Sequence, residues 1–417
     1  MKHVLTLILT FTIASVAAAD WPQFHGANSD NKSPDTGLLK SWPDGGPTRI
    51  WEAAGIGEGY SSLSIVDGLI YTSGSVNGVC VVTALDTNGK IVWQQQNGQA
   101  WKGSYPGTRG TPTVDEGLVY HLSGNGSFIC LKADTGDVVW TVDIVDEFNG
   151  RNIRWGFSES PLIVGDKIFC APGGNDVSVV ALNKKTGKTI WKSEGSGEGP
   201  GYTSPILVDH EGLRQIIIPM AQSIIGVRES DGEILWRHPH KVYTDQNITT
   251  PIFRDGFVLI SACGRQGTTS LALNVKGDQC SIETRWLNKT LDDKQGGIIL
   301  VDDRVYGYAE SQNRGEPWMC IDFNTGETIY QSAPIKSSYK YRNGCLTYAD
   351  GMFYFYTDDG KMALVEPGEK SFELKGKLIL EDFGENPTWA HPVVLDGRLY
   401  VRYGDRLGVY DVAKGDA

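Results

Sequence analysis

The sequence predicts an all-β chain folded as an eight-bladed β-propeller, and three observations carry that prediction. One phrase recurs eight times, with copies anchored at Ser62, Thr111, Ser160, Ser204, Thr250, Gly297, Cys345 and His391. The steps between anchors are 49, 49, 44, 46, 47, 48 and 46 residues, without drift. A period of roughly 40–50 residues carrying four short strands describes one propeller blade. The eighth copy reaches only Lys414-Gly415, before a fourth strand, while Thr48-Arg49-Ile50-Trp51-Glu52 is a fourth-strand phrase with no blade before it. Residues around Trp51 are therefore expected to complete blade eight and close the ring, which removes the edges an open sheet must protect.

At the start of the chain, Met1-Lys2-His3 leads into an apolar run from Val4 to Val16 and then Ala17-Ala18-Ala19-Asp20. A short charged start, a brief apolar run and a small-residue site describe an export signal over residues 1–19. The run is too short to span a bilayer, which needs ~20 apolar residues. Residues 20–417 then hold the eight blades and leave no room for a second domain. A periplasmic or secreted protein without a membrane span is expected.

Within each copy the first strand opens at a proline, as at Pro112, Pro161, Pro205, Pro251 and Pro392. A proline at a strand start gives up no ladder hydrogen bond. That strand ends in a tight turn such as Asp67-Gly68, Asp255-Gly256 or Asp396-Gly397, residues that supply the positive φ of two-residue hairpins. The second strand follows at once, as in Leu69-Ile70-Tyr71. The third carries phrases such as Ala84-Leu85-Asp86 and closes through Asn88-Gly89, Thr135-Gly136, Thr186-Gly187, Asp231-Gly232 and Thr325-Gly326. Four residues beyond those glycines stand Trp93, Trp140, Trp191, Trp236 and Tyr330, read as packing between neighbouring sheets. Blade five departs, with Trp286 displaced by an insertion after Gly277.

The chain carries 38 Lys and Arg against 50 Asp and Glu, a net charge of −12, and so lacks the basic surface that a nucleic acid or an anionic membrane requires. Its seven cysteines are spread at about one per blade and mostly sit in apolar strand phrases, such as Phe128-Ile129-Cys130-Leu131. That pattern describes small buried hydrophobes and not a disulfide framework.

In this blade order the short turns share one face of the disc, and the longer connections between blades gather on the other. Ligands meet loops of that kind. The candidate ligand-binding residues there are Arg109, Arg154, Trp155, Glu159, Tyr202, Asp245, Asn247, Arg342, Trp389 and His391, with Tyr60 beside them. Other loops add Asn175, Asp176, Arg265, Asn313, Arg314 and Asp358. Arginines, amides and aromatic rings at a channel mouth can stack a ring, pair a carboxylate, or bind a sugar or peptide. His238-Pro239-His240 has a metal-like spacing but no third ligand nearby, and neither a G-x-S-x-G elbow nor a phosphate loop occurs. No residue is assigned a catalytic or metal-ligating role.

The phrase Thr111-Pro112-Thr113-Val114-Asp115-Glu116-Gly117-Leu118-Val119-Tyr120, continued to Ala133-Asp134-Thr135-Gly136 and Trp140, resembles the repeat of pyrroloquinoline quinone (PQQ)-like propellers. That superfamily includes quinoprotein alcohol dehydrogenases and the outer-membrane assembly factor BamB. Unrepeated stretches such as Asp20-Trp21-Pro22-Gln23-Phe24-His25-Gly26 and Thr388-Trp389-Ala390-His391-Pro392 also resemble exported bacterial propellers. The resemblance implies either of two functions. One is a binding scaffold, a monomer without cofactor, that takes a protein segment or small ligand at the channel mouth. The alternative is a PQQ- and calcium-dependent alcohol or polyol dehydrogenase, with Trp155 or Trp389 as stacking floor and Glu159, Asp245 and Asn247 as ligands. Such enzymes carry adjacent disulfide-linked cysteines under the quinone, whereas no two cysteines are adjacent here and no C-x-x-C-H haem site is present. The scaffold is the expectation.

Overall fold

Asp67 (φ 51°) and Gly68 (φ 74°) both adopt left-handed backbone, the pairing that a type I′ hairpin needs to match strand twist. The hairpins at Glu116-Gly117, Glu211-Gly212, Asp255-Gly256, Asp350-Gly351 and Asp396-Gly397 repeat it. The computed structural model describes residues 19–310, 315–339, 342–381, 384 and 386–415. The expected export signal over residues 1–19, apart from Ala19, lies outside the described residues, as do Asn313 and Arg314.

Eight four-stranded antiparallel sheets are formed, seven of them from strands consecutive in the chain. The eighth takes three strands from the C-terminal copy, and its outer strand is Arg49–Ala54 paired to Arg406–Asp411 with Trp51 opposite Val409. The expected closure is what the structure shows. One short helix, Ile144–Phe148, is present among the described residues, in the connection after blade two.

The repeated tryptophan packs on the turn glycine of the next blade. A Cβ on Gly89, Gly136, Gly187, Gly232 or Gly326 would lie 2.5–2.9 Å from the ring of Trp51, Trp93, Trp140, Trp191 or Trp286 respectively. Each indole also donates to a carbonyl of that turn, Trp140 Nε1 to Lys184 O at 2.8 Å and Trp191 Nε1 to Glu229 O at 3.1 Å. Trp286, displaced in sequence by the long hairpin Gly267–Lys276 and Gln279–Asn288, still reaches this position. Nearer the axis, hydroxyls join blade to blade. Ser62 N donates to Thr111 Oγ1, Thr111 N to Ser160 Oγ, and Ser160 N to Ser204 Oγ, at 3.0, 2.9 and 3.1 Å. A Ser or Thr before the proline thus satisfies a backbone donor of its neighbour, which a buried strand end requires. All seven cysteines are buried and free.

Residues 20–47 do more than lead to the closing strand. Pro22 O accepts from Val114 N on the inner strand of blade two, while Lys32 Nζ donates to Leu300 O on that of blade six. Those blades stand opposite each other in a ring of eight, so the segment crosses the axis. It also binds blade one through the Trp21–Ile65 bridge, blade seven through Asn31 Nδ2 to Leu346 O, and blade eight through Gly397 N to Asp35. All these contacts lie toward the hairpin face. The channel is therefore stopped at that end by the chain itself and open toward the loop-bearing face.

Candidate functional site

Side chains alternate along a strand, so neighbouring positions of an inner strand face the channel and the blade in turn. The positions two before the anchors face the channel. They are Tyr60, Arg109, Ser158, Tyr202, Ile248, Gln295, Asn343 and Trp389, one per blade. All but Asn343 line one central cavity of about 180 Å³, and Asn343 shares a small adjoining hollow with Gln295 and Trp389. The anchors Ser160, Ser204, Thr250, Gly297 and His391 form the next layer of wall, and Phe24 and His25 of the crossing segment lie at the bottom. Trp155 and Tyr105, from longer connections, complete the mouth.

The wall is aromatic on one side. Tyr60 and Trp389 have ring centroids 5.1 Å apart, and Tyr105, from the connection after blade one, reaches Trp389 of blade eight at 4.7 Å. Arg109 is 9% exposed and spans the mouth. Its Nε donates to Tyr202 Oη, two blades on, and Nη1 and Nη2 donate to the carbonyls of Gly107, Ser104 and Tyr105. Trp155 Nε1 donates to Thr244 O at 3.0 Å and so ties two connections together. Among the described residues no Asp or Glu lines the cavity.

At the bottom, His391 Nε2–H donates to Gln295 O at 2.7 Å, which leaves Nδ1 to accept from His25 Nε2–H at 3.0 Å. Phe24 stacks on His25 with centroids 3.8 Å apart. Burial keeps both imidazoles neutral, with His391 lowered to about 4 and His25 well below its usual value.

Five of the ten candidates read from the sequence meet here: Arg109, Trp155, Tyr202, Trp389 and His391. The other five do not line the cavity. Glu159 sits one residue out of phase, between Ser158 and Ser160, and turns into the blade, where Oε2 accepts from Ala171 N at 3.1 Å. Desolvation raises its carboxyl to about 8. Asn247 is out of phase in the same way and clamps blade four, the blade before it, donating to Met220 O and His240 O at 2.7 and 3.0 Å. Asp245 accepts from Gln222 Nε2 at 3.2 Å, Arg154 lies exposed over the Trp155 ring at 4.2 Å, and Arg342 is exposed on a left-handed backbone. Of the outer loop candidates, Asp176 accepts from Asn149 Nδ2, Arg265 N donates to Asp292 Oδ2, and Asp358 accepts from Asn343 N. None of these three, nor Asn175, lines the cavity. His240 is held by Asn247 Oδ1 at 2.9 Å, and no metal-ligating group of three occurs among the described residues. Sequence reasoning missed Ser158, Ile248 and Gln295, which the anchor spacing alone would have given, and Phe24 and His25, which no repeat marks.

Comparison with known proteins places this architecture. The family model described as outer membrane protein assembly factor BamB matches residues 79–332. A quinoprotein ethanol dehydrogenase of Pseudomonas aeruginosa is 31% identical over 138 residues, which are 30% of this chain and 22% of that protein. The chain thus spans about a fifth of the length of that relative. Among solved structures, the quinohemoprotein alcohol dehydrogenase of Comamonas testosteroni superposes with a TM-score of 0.64 at 14% identity, covering 95% of this chain and 81% of that one. BamB from Moraxella catarrhalis gives 0.60 at 15%, covering 89% and 99%. At such identities the likeness is one of fold.

Proposed function

The chain belongs to the outer membrane protein assembly factor BamB family, and from that premise we propose an exported binding protein whose ligand enters the blind cavity on the loop-bearing face. One observation carries this reading. A channel stopped by residues 20–47 leaves an aromatic-walled cup with a single mouth, the concave and largely apolar form that small-molecule sites take. Export is supported by the charged, apolar and small-residue succession of residues 1–19. No helix among the described residues is long and apolar enough to cross a membrane.

The dehydrogenase alternative asks for PQQ and calcium, and the residues present fit neither. Calcium takes about 6–8 oxygen ligands, several of them carboxylates. Among the described residues the cavity wall offers no carboxylate, Glu159 is turned into its blade, and the Asn247 amide is spent on two backbone carbonyls. PQQ is a fused tricyclic acid, whereas a cavity of ~150 Å³ holds one benzene ring and this one measures about 180 Å³.

Native mass spectrometry of protein purified from its host tests the proposal. The expected result is a co-purifying small-molecule adduct on the wild type that Trp389→Ala loses. A wild type without adduct, stabilised on heating by PQQ and Ca²⁺ and reducing an acceptor dye with primary alcohols, would replace this reading by the dehydrogenase. At 100 Kd the quinone would add about 2.7 kcal/mol of stability, well within what a melting scan resolves.

A further inference from the structure

We infer that the ligand is a small monoanion, a single ring bearing one carboxylate, held with that carboxylate toward Arg109. The inference rests on the cavity being a ligand site.

A buried charge is normally paired, because an unpaired one loses its hydration without return. Arg109 has no carboxylate within ion-pair range among the described residues. Its named partners are the Tyr202 hydroxyl and three backbone carbonyls, all neutral. These take four of the five guanidinium hydrogens, and one on Nη1 is left over. The other cation at the wall, Lys294, already pairs with Glu310 at 3.2 Å. Among the described residues the cavity therefore has one charge to offer a ligand, and no acid of its wall repels an anion.

Two further donors are buried without a partner among the described residues, Tyr60 Oη and Trp389 Nε1. They belong to the same side of the wall. The Arg109 guanidinium lies 5.9 Å from the Tyr60 ring, and that ring lies 5.1 Å from Trp389. Burial raises the Tyr60 hydroxyl far above its usual value, so it keeps its proton and can only donate to an anion. Three donors gathered on one side match the lone pairs of a carboxylate, for which charge-assisted hydrogen bonds are the strong ones. The apolar remainder of the wall then receives the body of the ligand. Its size follows from the volume of about 180 Å³, little more than the ~150 Å³ that accommodates benzene. One ring with a short substituent fills it.

Isothermal titration of the mature protein with benzoate, cyclohexanecarboxylate and galacturonate, against benzamide as the neutral isostere, tests this. The expected result is that at least one acid binds roughly tenfold or more tighter than benzamide, the difference a charged hydrogen-bond partner makes. Tyr60→Phe and Trp389→Phe keep their rings, so each should weaken the acid several-fold and leave benzamide unchanged, with unaltered melting as the folding control. Galacturonate against its trimer separates a free acid from the end of a chain, and preference for the trimer would overturn the single-ring monoanion. Benzamide binding as well as benzoate would overturn the monoanion while leaving the cavity a ligand site. If none of these compounds binds but the co-purifying adduct is present, the inference fails alone. If the adduct is absent as well, both readings fall.

Discussion

His25 and His391 lie 366 positions apart in the chain and share one hydrogen bond of 3.0 Å, where the crossing segment meets blade eight. The bond requires a neutral His391, because its Nε2 donates to Gln295 O and its Nδ1 must accept. Gly297 of blade six packs against both, its Cβ position 3.5 Å from each ring. Three parts of the ring are thus joined at a point that protonation of His391 would break.

That contact sets a pH dependence. The folded pKa of His391 is lowered to about 4 from 6.5, and that of His25 is lowered too. Between those values the unfolded chain binds the protons and the folded one does not, so stability rises with pH across the window and is lost below it. At ~1.4 kcal/mol per unit, His391 alone accounts for roughly 3 kcal/mol. His121 and His240, lowered to about 3 and about 4, add to the same slope. The contribution of the pair is isolated by comparing wild type with His391→Asn in urea unfolding from pH 7 to 4. The variant should show the shallower loss, and superimposable slopes would contradict it.

Glu159 gives the opposite sign. Its folded pKa is raised to about 8, so the folded state holds a proton that the unfolded carboxyl has shed. The stability this represents is complete below about pH 4.5 and disappears as pH rises to 8. Glu159→Gln should therefore be close to neutral at pH 4.5 and more stable than wild type at pH 8, by an amount on the order of a few kcal/mol. Equal stabilities at pH 8 would show that the carboxyl ionises at little cost.

The inter-blade tryptophans should carry stability and not binding. Trp140 is 8% exposed and packs on Gly187 of the next blade, whose φ of 70° also resists a side chain. Trp140→Ala should cost about 3–5 kcal/mol, the usual range for emptying a buried aromatic site. Gly187→Ala should also destabilise, since its Cβ would lie 2.9 Å from the indole. Titration of the folded fraction with the cavity ligand should give the wild-type affinity.

The parts legible in the sequence are those the repeat encodes. Asp67-Gly68 and its counterparts place the hairpins, Trp140 and its counterparts place the blade contacts, and the orphan phrase around Trp51 places the closure. The site was only half legible, for two physical reasons. Strand alternation means that a shift of one residue turns a side chain from channel to blade, and Glu159 and Asn247 were read in the wrong phase although Arg109, Tyr202 and Trp389 were in the right one. The bottom of the cavity has a different origin. Phe24 and His25 belong to no repeat, and their position follows from long-range bonds such as Lys32 to Leu300 that no local pattern announces.

Ring closure and channel closure are separable because one segment performs them with different residues. Deletion of residues 20–52 removes most of the strand Arg49–Ala54 and strips Arg406–Asp411 of its partner, exposing a sheet edge in blade eight. Exposed edges pair with other chains, so light scattering should find aggregates and melting should lose its cooperativity. Alanine at Phe24 and His25 leaves that strand in place and removes only the bottom of the cup. This second variant should remain monomeric with a single melting transition, and its ligand affinity should fall because the cavity no longer ends where a one-ring ligand would. A truncated chain that stays monomeric with unchanged melting would show that the strand is dispensable. Full ligand affinity in the double alanine variant would show that the upper wall, from Arg109 to Trp389, binds without the bottom.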